Sequence, residues 1–254
     1  MSTPTTLART SNAEWSRIWS VRSSWVLALL TALAVVGVGA LIGHDTADDP
    51  SVPPDVTAWD GGRLTGMFAL FGVLALAVLT ATADHGTGGI VPTLQWTPRR
   101  GVLLAARAGV IVATTTLLGV LLVGSASLVV WTSRPDLGLP PGKGAEVLGG
   151  MVMLFTCAAL LAVGVGLFLR STAGAVVTVI ALVLVLPMLL AQLPYDWTVR
   201  LSSLMPGSSA LYLVFGEGPR DDMTVASSRL TLASWAVAAL LAGGWRLLRT
   251  DANR

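Results

Sequence analysis

Hydrophobic and polar positions along this chain fall into long blocks rather than into the short alternation of a soluble domain. Apolar runs occupy roughly 24–43 (SWVLALLTALAVVGVGALIG), 64–83, 102–131, 147–169, 172–193 and 230–248. A run of about 18 or more apolar residues with few or no charges has the length of a transmembrane helix. Lipid offers no partners for backbone N–H and C=O groups, so each run is expected to be helical. The alternating segments of about ten residues that build outer-membrane barrels do not occur. The pattern therefore predicts an all-α, polytopic membrane protein with six transmembrane helices, forming a single transmembrane domain over 1–254. The first run follows 23 polar or amphipathic residues and outlasts the short apolar core of a signal peptide, so it reads as a retained first span.

Three polar intervals carry patterns of their own. In 11–22 (SNAEWSRIWSVR), Ser11 and Glu14 stand at capping-box spacing. Trp15, Ile18, Trp19 and Arg22 follow at i, i+3, i+4, i+7 on one helical face, which predicts an amphipathic helix lying at the membrane surface. The alternative is a simple cap on the first span. Residues 84–101 join the second and third runs and hold Asp84, Gly86, Gly88, Gly89, Pro92, Pro98, Arg99 and Arg100. Ile90, Val91, Leu94 and Trp96 fit one side of a short helix that starts near Pro92 and stops before Pro98. Such a partly apolar knob is larger than a simple connection needs, and Arg107 is expected to snorkel back to the headgroups; an amphipathic loop lying on the lipid is the alternative. Residues 194–229 form a long last loop. There, Leu201, Leu204 and Met205, then Leu211, Tyr212, Val214 and Phe215, predict two short helices separated by Pro206-Gly207 that dip into the outer leaflet. A hairpin lying on the surface is the alternative.

Composition adds orientation. The chain is 54 % hydrophobic and 12 % charged, with a mean hydropathy of +0.74. An even number of spans puts both termini on one side. That side carries ten basic residues: Arg9, Arg17, Arg22, Arg99, Arg100, Arg107, Arg170, Arg246, Arg249 and Arg254. The other carries six in longer loops: Arg63, Arg134, Lys143, Arg200, Arg220 and Arg229. The bias of Lys and Arg in short flanking loops sets topology, so both termini are expected in the cytoplasm. Asp45, Asp48, Asp49, Asp55 and Asp60 crowd the first external loop. Arginine outnumbers lysine fifteen to one, which fits a GC-rich bacterial genome. The net charge is only +2 and no basic, aromatic-laced patch exists, so nucleic acid is not an expected partner. A single cysteine, Cys157, excludes an internal disulfide and reads as a packing residue.

Catalytic patterns are missing. The stretch 138–144 looks like a P-loop but is one residue short between glycines and ends in Gly144 instead of Ser or Thr. His44 and His85 fall on opposite faces of the membrane. No Gly-x-Ser-x-Gly occurs. Ionisable residues deep in the spans are nearly absent, which argues against a proton path. The hydroxyls inside the runs (Thr31, Thr65, Thr80, Thr114, Thr115, Thr116, Ser125, Ser127, Thr178) suit helix packing, and Pro187 is expected to kink the fifth span. No cofactor, metal or catalytic residue is expected.

The order Asp84, Gly86-Thr87-Gly88, Ile90, Thr93-Leu94, Pro98-Arg99-Arg100, with Arg107 early in the third span, resembles the membrane subunits of ABC-2 type transporters. These are bacterial permeases that pair with a separate ATPase. Glu14-Trp15 and Ile18 to Ser23 resemble the start of such permeases. The likeness spans nearly the whole chain, with Asp84 standing where Glu is commoner. It implies a subunit of an ATP-driven exporter in the bacterial cytoplasmic membrane, working as a homodimer or with a homologous chain and without an ATPase site of its own. It also implies that Asp84, Thr87, Ile90, Thr93, Leu94, Trp96, Arg99 and Arg100 belong to a coupling helix seated on the ATPase, and that the segment with Leu201, Leu204, Met205, Leu211, Tyr212 and Phe215 is an external gate. The apolar spans point to a hydrophobic or amphipathic cargo. Two other classes remain open: a non-transporting assembly or regulatory membrane protein, and an intramembrane enzyme.

Overall fold

The computed structural model describes residues 3–45, 53, 55–86 and 100–249. Among these it is helical with no strand. An N-terminal helix α1 (Thr3–Ser20) turns at Val21 into α2 (Arg22–Asp45), the first apolar run. A short α3 (Ala58–Leu64) precedes α4 (Gly66–Gly86), and α5 (Arg100–Ser133) is the longest helix. A 3-10 turn at Pro135–Leu137 leads to α6 (Pro141–Leu169). The fifth run is continuous but irregular: α7 (Thr172–Ile180), a π-helical turn (Ala181–Val185) and α8 (Leu186–Gln192). Two short helices, α9 (Asp196–Ser203) and α10 (Pro206–Phe215), come before α11 (Val225–Arg249).

Six of these segments are long and apolar enough to cross a membrane: α2, α4, α5, α6, the α7–α8 run and α11. The chain is a multi-pass helical membrane protein. Helices α4 and α6 form the centre, with most of their residues buried, while α2, α7–α8 and α11 present much of their surface outward. Leu29, Leu33 and Leu41 of α2 and Leu230, Val237 and Leu241 of α11 are exposed, as expected of side chains that meet acyl chains.

Helices in lipid gain little from the hydrophobic effect and associate through close packing of small residues. The α6–α11 contact shows this. A Cβ on Gly164 would stand 2.3 Å from the Ala239 carbonyl carbon, so only glycine lets the two backbones approach. Hydroxyls inside the bundle turn back to their own helices, as with Thr80 to Leu76 O (2.7 Å) and Thr115 to Ile111 O (2.9 Å), or bond across them, as with Thr82 and Thr172 (2.8 Å).

The predicted spans are all present, with shifted ends. The fourth begins at Pro141 rather than 147, because proline suits the first turn of a helix. The second begins at Gly66, and the polar residues before it fold separately as α3. The Asp60 carboxylate accepts from the Thr57 backbone N–H (3.0 Å), and Gly61 and Gly62 lay α3 against Val130 and Ser127 of α5. Pro187 falls where expected to disturb the fifth span. It cannot donate to the carbonyl of Val183, and the π-helical turn ends two residues before it, at Val185.

Candidate functional site

Helix α1 is longer than the amphipathic stretch predicted at 11–22. Its continuation back to Thr3 places Ser11 and Glu14 in mid-helix, so they form no capping box. Arg22 is not on this helix; the bend at Val21 makes it the first residue of α2. The predicted apolar face is divided. Trp15 faces outward, edge-on to Trp19 (6.1 Å between rings), and Trp19 in turn packs on Trp25 (4.7 Å). Ile18 is turned into the core and is 2 % exposed. One turn before Ile18, on the same buried side, lies Glu14, 4 % exposed.

Glu14 is buried because it belongs to a closed ring of four charges. Arg107, on the second turn of α5, is 1 % exposed and does not snorkel to the headgroups. Its Nε and Nη2 donate to Glu14 Oε1 (3.2 and 3.0 Å), and Nη2 also donates to Asp84 Oδ2 at the end of α4. Arg17 closes the circuit from the other side. It donates from Nε and Nη2 to Glu14 Oε2 (3.0 and 2.6 Å), and from Nη1 to Asp84 Oδ1 (2.8 Å). A further bond from Arg17 Nη2 reaches Thr80 O (3.0 Å). Each carboxylate gives one oxygen to each arginine. Two positive and two negative charges cancel, and the pairs are charge-assisted hydrogen bonds, the stronger kind.

The ring fixes three segments to one another: the middle of α1, the end of α4 and the start of α5. The segment 87–99 leaves α4 just after Asp84 and rejoins α5 at Arg100, two turns before Arg107. Both its ends are thus anchored to one ionic cluster. The expected coupling residues Thr87, Ile90, Thr93, Leu94, Trp96 and Arg99 lie outside the described residues. Arg100 is described, and its Nη1 donates to the last carbonyls of α11, Leu247 O (3.4 Å) and Leu248 O (3.3 Å). Among the ring members, sequence patterns singled out Glu14, Asp84 and Arg107 separately. They missed Arg17, which lies off the predicted apolar face, and they missed the pairing itself.

At the other end of the bundle, α9 and α10 dock on the fifth span. Pro206-Gly207 does not separate the two helices but opens α10, with proline in its first turn. A Cβ on Gly207 would stand 1.8 Å from Val183 O, so glycine is required where α10 meets the π-helical turn. Ser202 Oγ donates to Pro187 O (2.8 Å) and so ties α9 to the same place. Leu201, Leu204 and Phe215 are exposed, Leu211 and Tyr212 are half-buried, and of the six expected gate residues only Met205 is buried. The buried residues are mostly small: Thr198 and Ser202 of α9, and Pro206, Gly207, Ser208, Ser209, Ala210 and Val214 of α10. Helix α9 ends at Ser203, so Leu204 and Met205 form the joint between the helices.

Between α4 and the fifth span runs a groove of about 380 Å³ lined wholly by apolar residues, among them Phe71, Leu74, Val78, Val179, Ile180 and Val183. Among the described residues no group of three His, Cys, Asp or Glu side chains converges to hold a metal ion. Neither a protein-family model nor a curated protein matches this chain.

Proposed function

We propose that this chain is the membrane-spanning permease subunit of an ATP-driven ABC exporter in a bacterial cytoplasmic membrane, with both termini in the cytoplasm. It works beside a second permease chain and a separate ATPase subunit, performs no bond chemistry itself, and passes a hydrophobic or amphipathic substrate. The observation that carries this reading is the ionic ring. A loop that transmits force from an ATPase must not swivel on its own base. Here the helix before the loop, the helix after it and the surface helix α1 are joined by four charges with little access to water, where ion pairs are screened least. The apolar groove beside α4 supports the kind of cargo proposed.

The test is co-expression with the neighbouring ATPase subunit, comparing the native chain with a Leu94→Asp/Trp96→Asp double substitution. The native chain is expected to hold the ATPase through detergent purification. The variant is expected to purify as a folded chain without it. A native chain that never retains an ATPase has no motor, and the reading then fails in favour of an assembly or regulatory role.

A further inference from the structure

The end of the bundle that carries the ionic ring also gathers four further arginines. Arg100 opens α5, Arg170 caps the end of α6, and Arg246 and Arg249 lie in the last turn of α11. The Arg246 guanidinium donates to Phe168 O, and Arg170 Nη2 donates to Arg246 O (3.4 Å). These bonds meet the open carbonyls of helix ends, but a carbonyl dipole does not cancel a full charge. The crowding is visible at Arg170. Its pKa lies below the usual arginine value, first because of burial and then because of the neighbouring charges of Arg246 and Arg100. Arg246 and Arg249 pair with no described carboxylate, in contrast to the balanced ring nearby.

The flanking side chains give this corner its depth in the membrane. Leu241, Trp245 and Leu248 follow one another along a single stripe of α11 and are 68 %, 56 % and 48 % exposed. Arg249 stands over the Trp245 ring (5.8 Å), and Arg246 over Phe168 (5.5 Å). Exposed leucines leading to a tryptophan and then to arginines mark the passage from acyl chains to headgroups. We infer that this corner binds an anionic phospholipid. Its phosphate sits on the guanidiniums of Arg246 and Arg249, and its acyl chains lie along Leu241, Trp245 and Leu248. Guanidinium forks match phosphate oxygens two at a time, and basic pockets at the ends of transmembrane helices suit anionic headgroups. The inference does not depend on the transport reading.

The experiment measures thermal stability of the full chain in detergent on adding phosphatidylglycerol, phosphatidylcholine or inorganic phosphate. Phosphatidylglycerol is expected to raise the Tm on the order of 5 °C beyond phosphatidylcholine at saturation. The excess is expected to vanish in Arg246→Gln/Arg249→Gln and to be reduced but retained in Arg246→Lys/Arg249→Lys, which keeps the charge but loses the fork. Arg249→Gln alone, at an exposed residue with no hydrogen bond to described residues, is expected to lose about half the excess and serves if the double variant does not fold. Equal effects of the two lipids on the native chain overturn the inference. So does an excess that persists in the glutamine variants, or one that inorganic phosphate alone reproduces.

Discussion

A guanidinium as buried as Arg107 is tolerated only when its charge is met, because an uncompensated ion in a low-dielectric interior costs several kcal/mol. Arg107→Met leaves Glu14 and Asp84 facing Arg17 alone. It is expected to cost about 3–5 kcal/mol, read as a Tm drop on the order of 10 °C in detergent. Glu14→Gln leaves the opposite imbalance. Combined, the two substitutions restore neutrality through Arg17 and Asp84, so the double variant should be less destabilised than the sum of the singles by roughly 1–3 kcal/mol. Strict additivity across that cycle would show that the four charges do not act as a unit. Such a ring is hard to foresee from local pattern. Arg107 and Glu14 are 93 positions apart and Arg17 and Asp84 are 67 apart. Spacing along α1 put tryptophans and Ile18 on one face without showing that α4 and α5 cover the side holding Glu14. Arg107 read as a snorkelling residue because snorkelling is what an arginine near a span end does when no acid waits inside.

At the scale of elements, apolar length is a local property, and the six membrane-crossing helices were legible for that reason. Helix α3 was not, since AWDGGRL has neither the length nor the hydropathy of a span and owes its place to packing on α5. Apolar content marked α9 and α10 as elements without assigning their buried faces. In this bundle their small and hydroxyl residues pack inward and several large apolar residues face out, the arrangement close packing favours in lipid. Two glycine contacts make that packing testable. Gly164→Ala forces a methyl group into the Ala239 backbone, and Gly207→Ala forces one into Val183 O. Each is expected to cost about 1–3 kcal/mol as overpacking, measured by denaturant unfolding in mixed micelles. Gly149→Ala, on the same α6 but with nothing near its added methyl, is expected to be neutral or stabilising by up to about 1 kcal/mol. If all three behave alike, helix propensity rather than close approach governs these sites.

Across the whole molecule the two sides of the membrane differ in how many basic residues they carry. At the end with α9 and α10, Arg134 pairs with Asp136 (2.7 Å), Arg220 with Asp222 (2.5 Å), and Lys143 with Asp60 and Glu146 (both 3.8 Å), while Arg63, Arg200 and Arg229 pair with no described carboxylate. At the α1 end the ring is balanced, while Arg246 and Arg249 pair with no described carboxylate. Membrane insertion follows the number of Lys and Arg in flanking segments, with acids counting little, and ten of the sixteen belong to the side of the termini, so the α1 end is expected to face the cytoplasm and the α9–α10 end the outside. Cys157 is buried and is the only cysteine, so a Cys157→Ser background permits single-site labelling. Asn12 on α1 and Glu217 just past α10 are both exposed, and five of the six crossing helices separate them. In intact cells a membrane-impermeant maleimide should label Glu217→Cys, and it should label Asn12→Cys only after permeabilisation. The reverse pattern would invert the molecule and place the segment 87–99 outside, away from any cytoplasmic ATPase. Labelling of both sites in intact cells would mean that one of the five intervening helices does not cross.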